Sequence, residues 1–584
     1  FEISVSRLEN GSISIEGISM ENSPDNSNND NELTEWFINQ NVIEFRNALV
    51  EWQDVKLKQD TLLLEDVSLV LRSDDYRLQI EGSTNLPPLY GHNMDFALDV
   101  TGDLLTSSWS AELYLHGDNI NPDNWYSNYR PIDLNIAGGR ANITVWSTWK
   151  NSQLTDFEGQ LDYSDFTILF RDTETNIENL VYQFSGSLNN DEDWLFNINL
   201  KSLVTQNGAW PETDLAFKFK PELKNGVDYP FLANFSYLKL DDLAPILAVL
   251  SNLPDSTQKM ILKHSLGGNL YDGVIDYDPN RGSDNKLIYD LEFENLNVDI
   301  NDIQPKLTDL SGHAYGSILE GIISFDNNNV ELYFPLIENN FRWSFVSNGK
   351  VNWSNKDNSL ILRSNLVYLK NNDLGMKIAG MIDIAKSGPS FIDTILEIEP
   401  GDLEKIISYI PLSSDDRMKN WMQRSILGGK LKSASAIYRG NPADFPFDNE
   451  SGRFKSVIYT YDANLEYSPR WPVIDDIDAE VVIDGRKLAA NIFNGRIFGS
   501  EVVSGTTEVS DLFQRKKTVL VNGLLNGQTS DLRNFIRKSP LGNDVLLSKV
   551  VDSIESGQIE LDLTVANEAG ETRVFGTARV KVGG

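Results

Sequence analysis

The sequence predicts a mainly β chain, modular and elongated, in which antiparallel strands are interrupted by short helical pairs. Three observations predict it: alternation of apolar and polar residues from end to end, turn signals that punctuate those stretches, and an internal repeat of helical segments. Side chains of an extended chain point alternately to opposite faces, so period-2 alternation marks strands with one solvated face. In LIYDLEFENLNVDI, residues 287–300, Leu287, Tyr289, Leu291 and Phe293 share one face, and Asp290, Glu292 and Glu294 share the other. After Asn295 the phase slips by one and Leu296, Val298 and Ile300 carry it onward, which predicts a bulge or bend at Asn295.

In chain order, residues 1–239 form the first β segment. It opens in what already reads as a strand, FEISVSRL, with no initiator Met or signal segment, and is expected to be part of a longer protein. The Asn-rich tract at residues 22–32 is polar and apolar-poor, and predicts a mobile surface loop. WLFNINLK places Phe196, Ile198 and Leu200 on one face, and LAFKFK sets Leu215, Phe217 and Phe219 against Lys218 and Lys220. Helical pairs are expected at 240–270, 400–430 and 529–556, with β segments at 271–399, 431–528 and 557–584. The last carries IELDLTV, with Ile559, Leu561, Leu563 and Val565 in phase. SLNNDEDW, DPNRGSDN, SFDNNNVE and YLKNNDLG read as the turns between strands.

The helical pairs resemble one another. Each opens on Asp-Leu (Asp242, Asp402, Asp531), carries a Pro (Pro254, Pro411, Pro540) and ends at a glycine before the next strand. In the second pair, Ser414, Asp415 and Asp416 suit a helix N-terminus, Met418, Trp421, Met422 and Ile426 share a face, and Gly428 with Gly429 suits the C-terminal cap. An internal repeat with variable β content between copies predicts modular construction rather than three unrelated domains.

The chain has 584 residues with 50 Lys+Arg against 86 Asp+Glu, a net charge of −36. Such a surface repels phosphate backbones and anionic headgroups on average, so no nucleic-acid partner is expected. There is no Cys, which removes disulfides, thiolate metal sites and cysteine nucleophiles and leaves the compartment open. The histidines, His92, His116, His264 and His313, are far apart, and no metal site or cofactor is expected. DYDPNRGSD resembles a calcium loop only faintly, because Arg281 stands where the loop glycine belongs. No nucleophile elbow, phosphate loop or dinucleotide fingerprint occurs, and no catalytic residue is assigned. The most apolar run, LAPILAVLSNL, is too short to span a membrane.

At LGGKLKSASAIYRGNPADFPFDNESGRF, residues 427–454, and YDANLEYSPRWPVIDDIDAEVVIDGRKL, residues 461–488, the chain resembles the YhdP family, an AsmA-like group of bacterial envelope proteins. ISVSRLENGS, VEWQDVKLKQDTLLLEDVSLVLRSDDYRLQIEGSTNLPP, NPDNW with NIAGGRANITVWSTW, and NGAWPETDLAF agree in the same order. The resemblance implies a periplasmic part of a bridge-like protein that moves phospholipid between the inner and outer bacterial membranes. It implies a curved antiparallel sheet of repeated units forming a hydrophobic groove, and no enzymatic activity. It also implies an inner-membrane anchor outside this chain and outer-membrane or periplasmic partners at the far end. Some 30 strands stacked at ~4.8 Å would then make a rod of roughly 150 Å.

Under that implication the helical pairs cap sheet edges or cover the groove, and alternation nominates the residues that meet acyl chains. They are Phe196, Ile198, Leu200, Leu215, Phe217, Phe219, Leu287, Tyr289, Leu291, Phe293, Tyr459, Tyr461, Leu465, Ile559, Leu561 and Leu563. In DFPF, Phe445 and Phe447 are expected to pack within a turn. Two rival readings stand: a β-solenoid scaffold or adhesin whose own side chains fill its interior, and a polysaccharide-acting enzyme with paired carboxylates.

Overall fold

The computed structural model describes residues 2–9, 13–15, 18–20, 40–56, 61–74, 76–102, 108–126, 134–170, 173–190, 192–220, 230–243, 267–282, 286–298, 306–333, 342–356, 359–385, 390–409, 416–514, 518–554, 557–568 and 571–581. The expected loop at 22–32, most of the first helical pair, Pro254 and Pro411 lie outside them. The chain divides into two compact units, Phe1–Glu294 and Asn295–Gly584. Both are mainly β, and in both the pairing is a meander of chain neighbours.

In the first unit, Val42–Asp54 pairs with Leu62–Asp74, followed in order by Arg77–Asn85, Asn93–Thr101, Ser110–Ile120, Leu134–Lys150, Gln153–Phe170, Thr173–Leu188, Trp194–Thr205, Thr213–Phe219, Phe231–Lys239 and Gly267–Tyr277. Every step is antiparallel. Glu2–Arg7 joins the free side of Val42–Asp54 in parallel. The second unit repeats the scheme from Lys306–Ser317 to Glu571–Lys581, again antiparallel throughout.

Many strands bend at a bulge, and short polar residues make the bend. Asn47, Asp66, Asn119, Asp165, Asp272, Asn295, Asp309, Asp462 and Asp476 all lie within strands at φ between 47° and 61°. Asn and Asp tolerate this left-handed conformation because a short polar side chain can bond locally. The amide freed by the bulge takes a side-chain acceptor from a neighbouring strand: Asn295 N–H donates to Ser311 Oγ at 3.1 Å, Asp309 N–H to Asn297 Oδ1 at 3.2 Å, and Ser311 N–H to Asn327 Oδ1 at 2.7 Å. The bulge expected at Asn295 is therefore present. SFDNNNVE is not a turn: it runs through the strand Glu320–Tyr333 with a bulge between Asn327 and Val330. The other three turn signals fall between strands.

Helices sit at one end of the meander in each unit. Pro122–Tyr126, residues 240–243, Leu403–Ile407 and Thr529–Arg537 each follow a strand and dock on a hairpin two strands back. Trp125 Nε1 donates to Tyr90 O at 2.9 Å, Asn371 Nδ2 donates to Tyr409 Oη at 2.9 Å, and Ser500 Oγ donates to Asp531 Oδ2 at 3.0 Å. The second pair comprises Leu403–Ile407 and Asp416–Ser425, and the third comprises Thr529–Arg537 and Val545–Asp552 joined by the 3₁₀ turn Pro540–Asn543. Gly428 and Gly429 are not a helix cap. They lie inside the strand Ile426–Gly440, where Gly429 has φ +121° and a Cβ would come within 2.5 Å of Ala463 Cα. The helix Pro122–Tyr126 was not foreseen within the first β segment.

Candidate functional site

The register joins the alternating strands into continuous rows. In the first unit one row runs Phe45, Leu69, Gly82, Phe96, Leu115, Val145, Gly159, Phe184, Ile198, Leu215, Phe235, Gly273. Beside it runs Ile43, Leu71, Ile80, Leu98, Leu113, Ser147, Phe157, Gly186, Phe196, Phe217, Ala233, Ile275. Twelve strands at ~4.8 Å make each row about 50 Å long, and neither holds a charged side chain. The face behind them carries Glu44, Glu81 and Glu158 in the intervening register, with Arg77 paired to Asp99 near one end.

Glycine and aromatic residues make this surface smooth. Gly159 lies opposite Phe184, Gly186 opposite Phe157, and Gly273 opposite Phe235. A Cβ built on Gly273 would sit 1.9 Å from the Phe235 ring, so the ring lies directly over the glycine backbone. Phe157 also meets Trp194, Phe196 and Phe184 at centroid distances of 5.4, 5.9 and 6.2 Å. Most row residues are only half-buried. A packed second layer would take apolar side chains of this size almost wholly out of water, and among the described residues no second sheet lies on this face.

The second unit has a similar row: Gly312, Phe325, Gly349, Val367, Ile378, Leu396, Ala436, Ser456, Ile483, Leu488, Val509, Val519. Here helices cover one end of the strands. Leu403 and Ile406 pack with Leu431, Ala463 and Ile477, and Leu532, Phe535 and Ile536 pack with Val502 and Ile559. In the first unit the closed end is Leu200, Trp210 and Tyr237 with Leu243, and Ala141, Tyr163, Phe166 and Ile177. Burial pushes the Tyr163 and Tyr237 phenols up to about 12. Asp242 is buried against the same end and accepts from Trp210 Nε1 at 2.6 Å, Asn207 Nδ2 at 2.7 Å and Thr205 Oγ1 at 2.9 Å.

The nominated residues separate on these surfaces. Phe196, Ile198, Leu215 and Phe217 stand in the two rows, Leu200 lies at the closed end, and Phe219 lies at the opposite end, 39% exposed. Leu287, Tyr289 and Leu291 are half-buried and Phe293 is 3% exposed, while Asp290, Glu292 and Glu294 are exposed, as alternation requires. Tyr459 and Tyr461 fall on the other face: Ser456 and Ile458 occupy the apolar register, and Tyr459 donates to Glu480 Oε1 at 2.7 Å. Leu465, Ile559 and Leu561 pack against the helix-covered clusters, Ile559 being 4% exposed. The side chain of Leu563 lies outside the described residues. Sequence reading missed Phe157, Phe184 and Phe235, whose only signal is a phenylalanine in matching phase with a glycine on the neighbouring strand. Phe445 and Phe447 pack as expected, in an aromatic cluster with Tyr438, Phe454 and Phe513.

Asp276 and Asp278, the carboxylates of the calcium-like loop, both face Arg281, at 2.6 and 3.8 Å. Among the described residues no helix is long and apolar enough to cross a membrane.

Comparison with known proteins bears on the same span. The family described as YhdP protein matches residues 2–583. The chain is 19% identical over 517 residues to the intermembrane phospholipid transporter YhdP of Escherichia coli (strain K12), which covers 85% of this chain and 40% of that protein. The chain therefore spans about two fifths of the length of that relative. No solved structure matches. With the match running almost end to end along the strands that form the apolar rows, the chain belongs to the YhdP family.

Proposed function

We propose that this chain is a periplasmic section of an intermembrane phospholipid transporter in the cell envelope, and that the apolar rows carry lipid acyl chains. The continuity of uncharged, mostly half-buried residues across twelve neighbouring strands is the observation that supports this reading. Moving an acyl chain through water costs ~0.8 kcal/mol per methylene, on the order of 10 kcal/mol for one chain of ordinary length. A continuous apolar floor lowers that barrier at each point along its length. The chain spans about two fifths of the length of its relative, so transport activity, an inner-membrane anchor and outer-membrane or periplasmic partners are proposed for the whole protein. The helix-covered ends leave the middle of the strands for lipid, which separates this reading from a scaffold filled by its own side chains.

The test is the lipid recovered with the gently purified protein. Phospholipid should be present by mass spectrometry, and Ile198→Lys, which sets a charge in the middle of a row, should reduce it several-fold while the β circular dichroism is unchanged. Protein recovered free of phospholipid would contradict the reading.

A further inference from the structure

In the second unit the face turned away from the apolar row carries a surface of another kind. The strands Ser359–Lys370, Gly375–Ala385, Phe391–Ile398, Ile426–Gly440 and Arg453–Leu465 pair in that order, and the register sets Tyr368, Lys377, Glu397, Ser435 and Val457 in one row of this outer face. Two residues beyond Val457, Tyr459 lies between Ser433 and Glu480. A cavity of about 420 Å³ opens here, lined in part by Lys377, Glu397, Glu399, Ser433, Ser435 and Tyr459. Tyr459 and Tyr461 are 38% and 39% exposed.

Two of the tyrosines are held by carboxylates. Tyr459 donates to Glu480 Oε1 at 2.7 Å, and the other oxygen of Glu480 accepts from Asn491 Nδ2 at 3.1 Å. Tyr368 donates to Glu399 Oε2 at 3.2 Å, beside Lys370 Nζ at 3.3 Å. A ring fixed in this way offers its flat face to a ligand at little cost in side-chain freedom.

The chemistry of the surface selects what it fits. The cavity offers an ammonium group, two carboxylates and two serine hydroxyls, so donors and acceptors are both at hand. A sugar has the complementary make-up: hydroxyls that each donate and accept, on a ring whose C–H face is apolar and suits an aromatic face. Carboxylates outnumber ammonium groups among Lys370, Lys377, Glu397, Glu399 and Glu480, which disfavours phosphates and acidic polymers. The anchor of a protein partner would instead need a pocket that desolvates it fully. The cavity is within the ~300–1,000 Å³ of small-molecule sites, and the four strand steps from Tyr368 to Val457 span about 19 Å, longer than one sugar ring. We propose that the outer face of the second unit binds a neutral oligosaccharide, with sugar rings against Tyr459 and Tyr461 and hydroxyls bonded in the cavity by Glu397, Ser433 and Ser435. This site is separate from the apolar rows and does not depend on what they carry.

The experiment is isothermal titration of the whole chain with cellotriose, maltotriose and triacetylchitotriose, with trigalacturonate as the anionic control. At least one neutral trisaccharide should bind saturably, one per chain. Tyr459→Ala and Tyr461→Ala should each weaken that binding about tenfold with the β circular dichroism unchanged. Tyr459→Phe, which keeps the ring, should retain most of the affinity. Phospholipid recovered with these variants should equal that of the parent chain, so failure of this proposal is distinct from failure of the lipid reading. No saturable binding of any neutral trisaccharide, binding of trigalacturonate alone, or affinity unchanged in both alanine variants would overturn the proposal.

Discussion

Asp242, Asp402 and Asp531 open the helical segments at equivalent places yet bond differently. Asp242 is buried and satisfies three donors, Asp402 forms an exposed ion pair with Lys430, and Asp531 accepts from Ser500. Asp242→Ala leaves the Trp210, Asn207 and Thr205 donors without their acceptor and should cost about 3 kcal/mol, read as a lower thermal midpoint, with Asp242→Asn costing less. The recurrence of Asp-Leu was legible in the sequence. Its bonding was not, because the partners of Asp242 and Asp531 come from a hairpin more than thirty residues upstream and that of Asp402 from the strand after its helices. Ion pairs with a solvent-exposed cation add little individually, but their acids share a direction: the carboxyls of Asp193, Asp402 and Asp448 are held below the ordinary range, chiefly by hydrogen bonds from Lys218, Lys430 and Arg486. A carboxyl lowered in the folded state contributes stability above its unfolded value, about 3.9, and that contribution is lost as pH falls through the folded value. The thermal midpoint should stay level from about pH 7 to 5 and drop below about pH 4, with a smaller drop in Lys430→Met.

At the scale of the strand, the bulges carry the argument. Asn295 has φ +52° and its amide bonds to Ser311 Oγ. Asn295→Val forces a β-branched residue into the left-handed region and should lower stability by about 1–2 kcal/mol, whereas Asn295→Gly should be close to neutral by calorimetry. This bulge was legible because the apolar phase slips by one residue there. SFDNNNVE was misread because an Asn-rich run serves a turn and a bulge equally well; the Asn327 side chain, bonded to Ser311 N–H and O, decides for the bulge. In VIYTYDANL two phases compete, and the aromatic one, Tyr459 and Tyr461, loses to Ile458 because Ala434 and Val481 flank that position across both neighbouring strands.

Across each unit, single strands that alternate unremarkably become a surface once the register aligns them. Alternation gave Phe196, Ile198, Leu215 and Phe217 from their own strands. The rows that join them to Phe184, Phe235 and the glycines depend on pairings between strands that no local pattern encodes. The helical interruptions were visible as a repeat, and their place on the apolar face follows from the meander, which returns every second connection to the same end. Charge follows the same division: the acidic surplus of the chain stands outside the rows, so the floor stays uncharged while the outer surface remains solvated. On the proposed reading, lipid touches one face of these strands and water the other. Photocrosslinking from each position of residues 194–200 in cells tests it most directly. Lipid adducts should appear at 194, 196 and 198, fall at 195, 197 and 199, and weaken at the closed-end position 200. Equal labelling of both faces, or none, would contradict the claim.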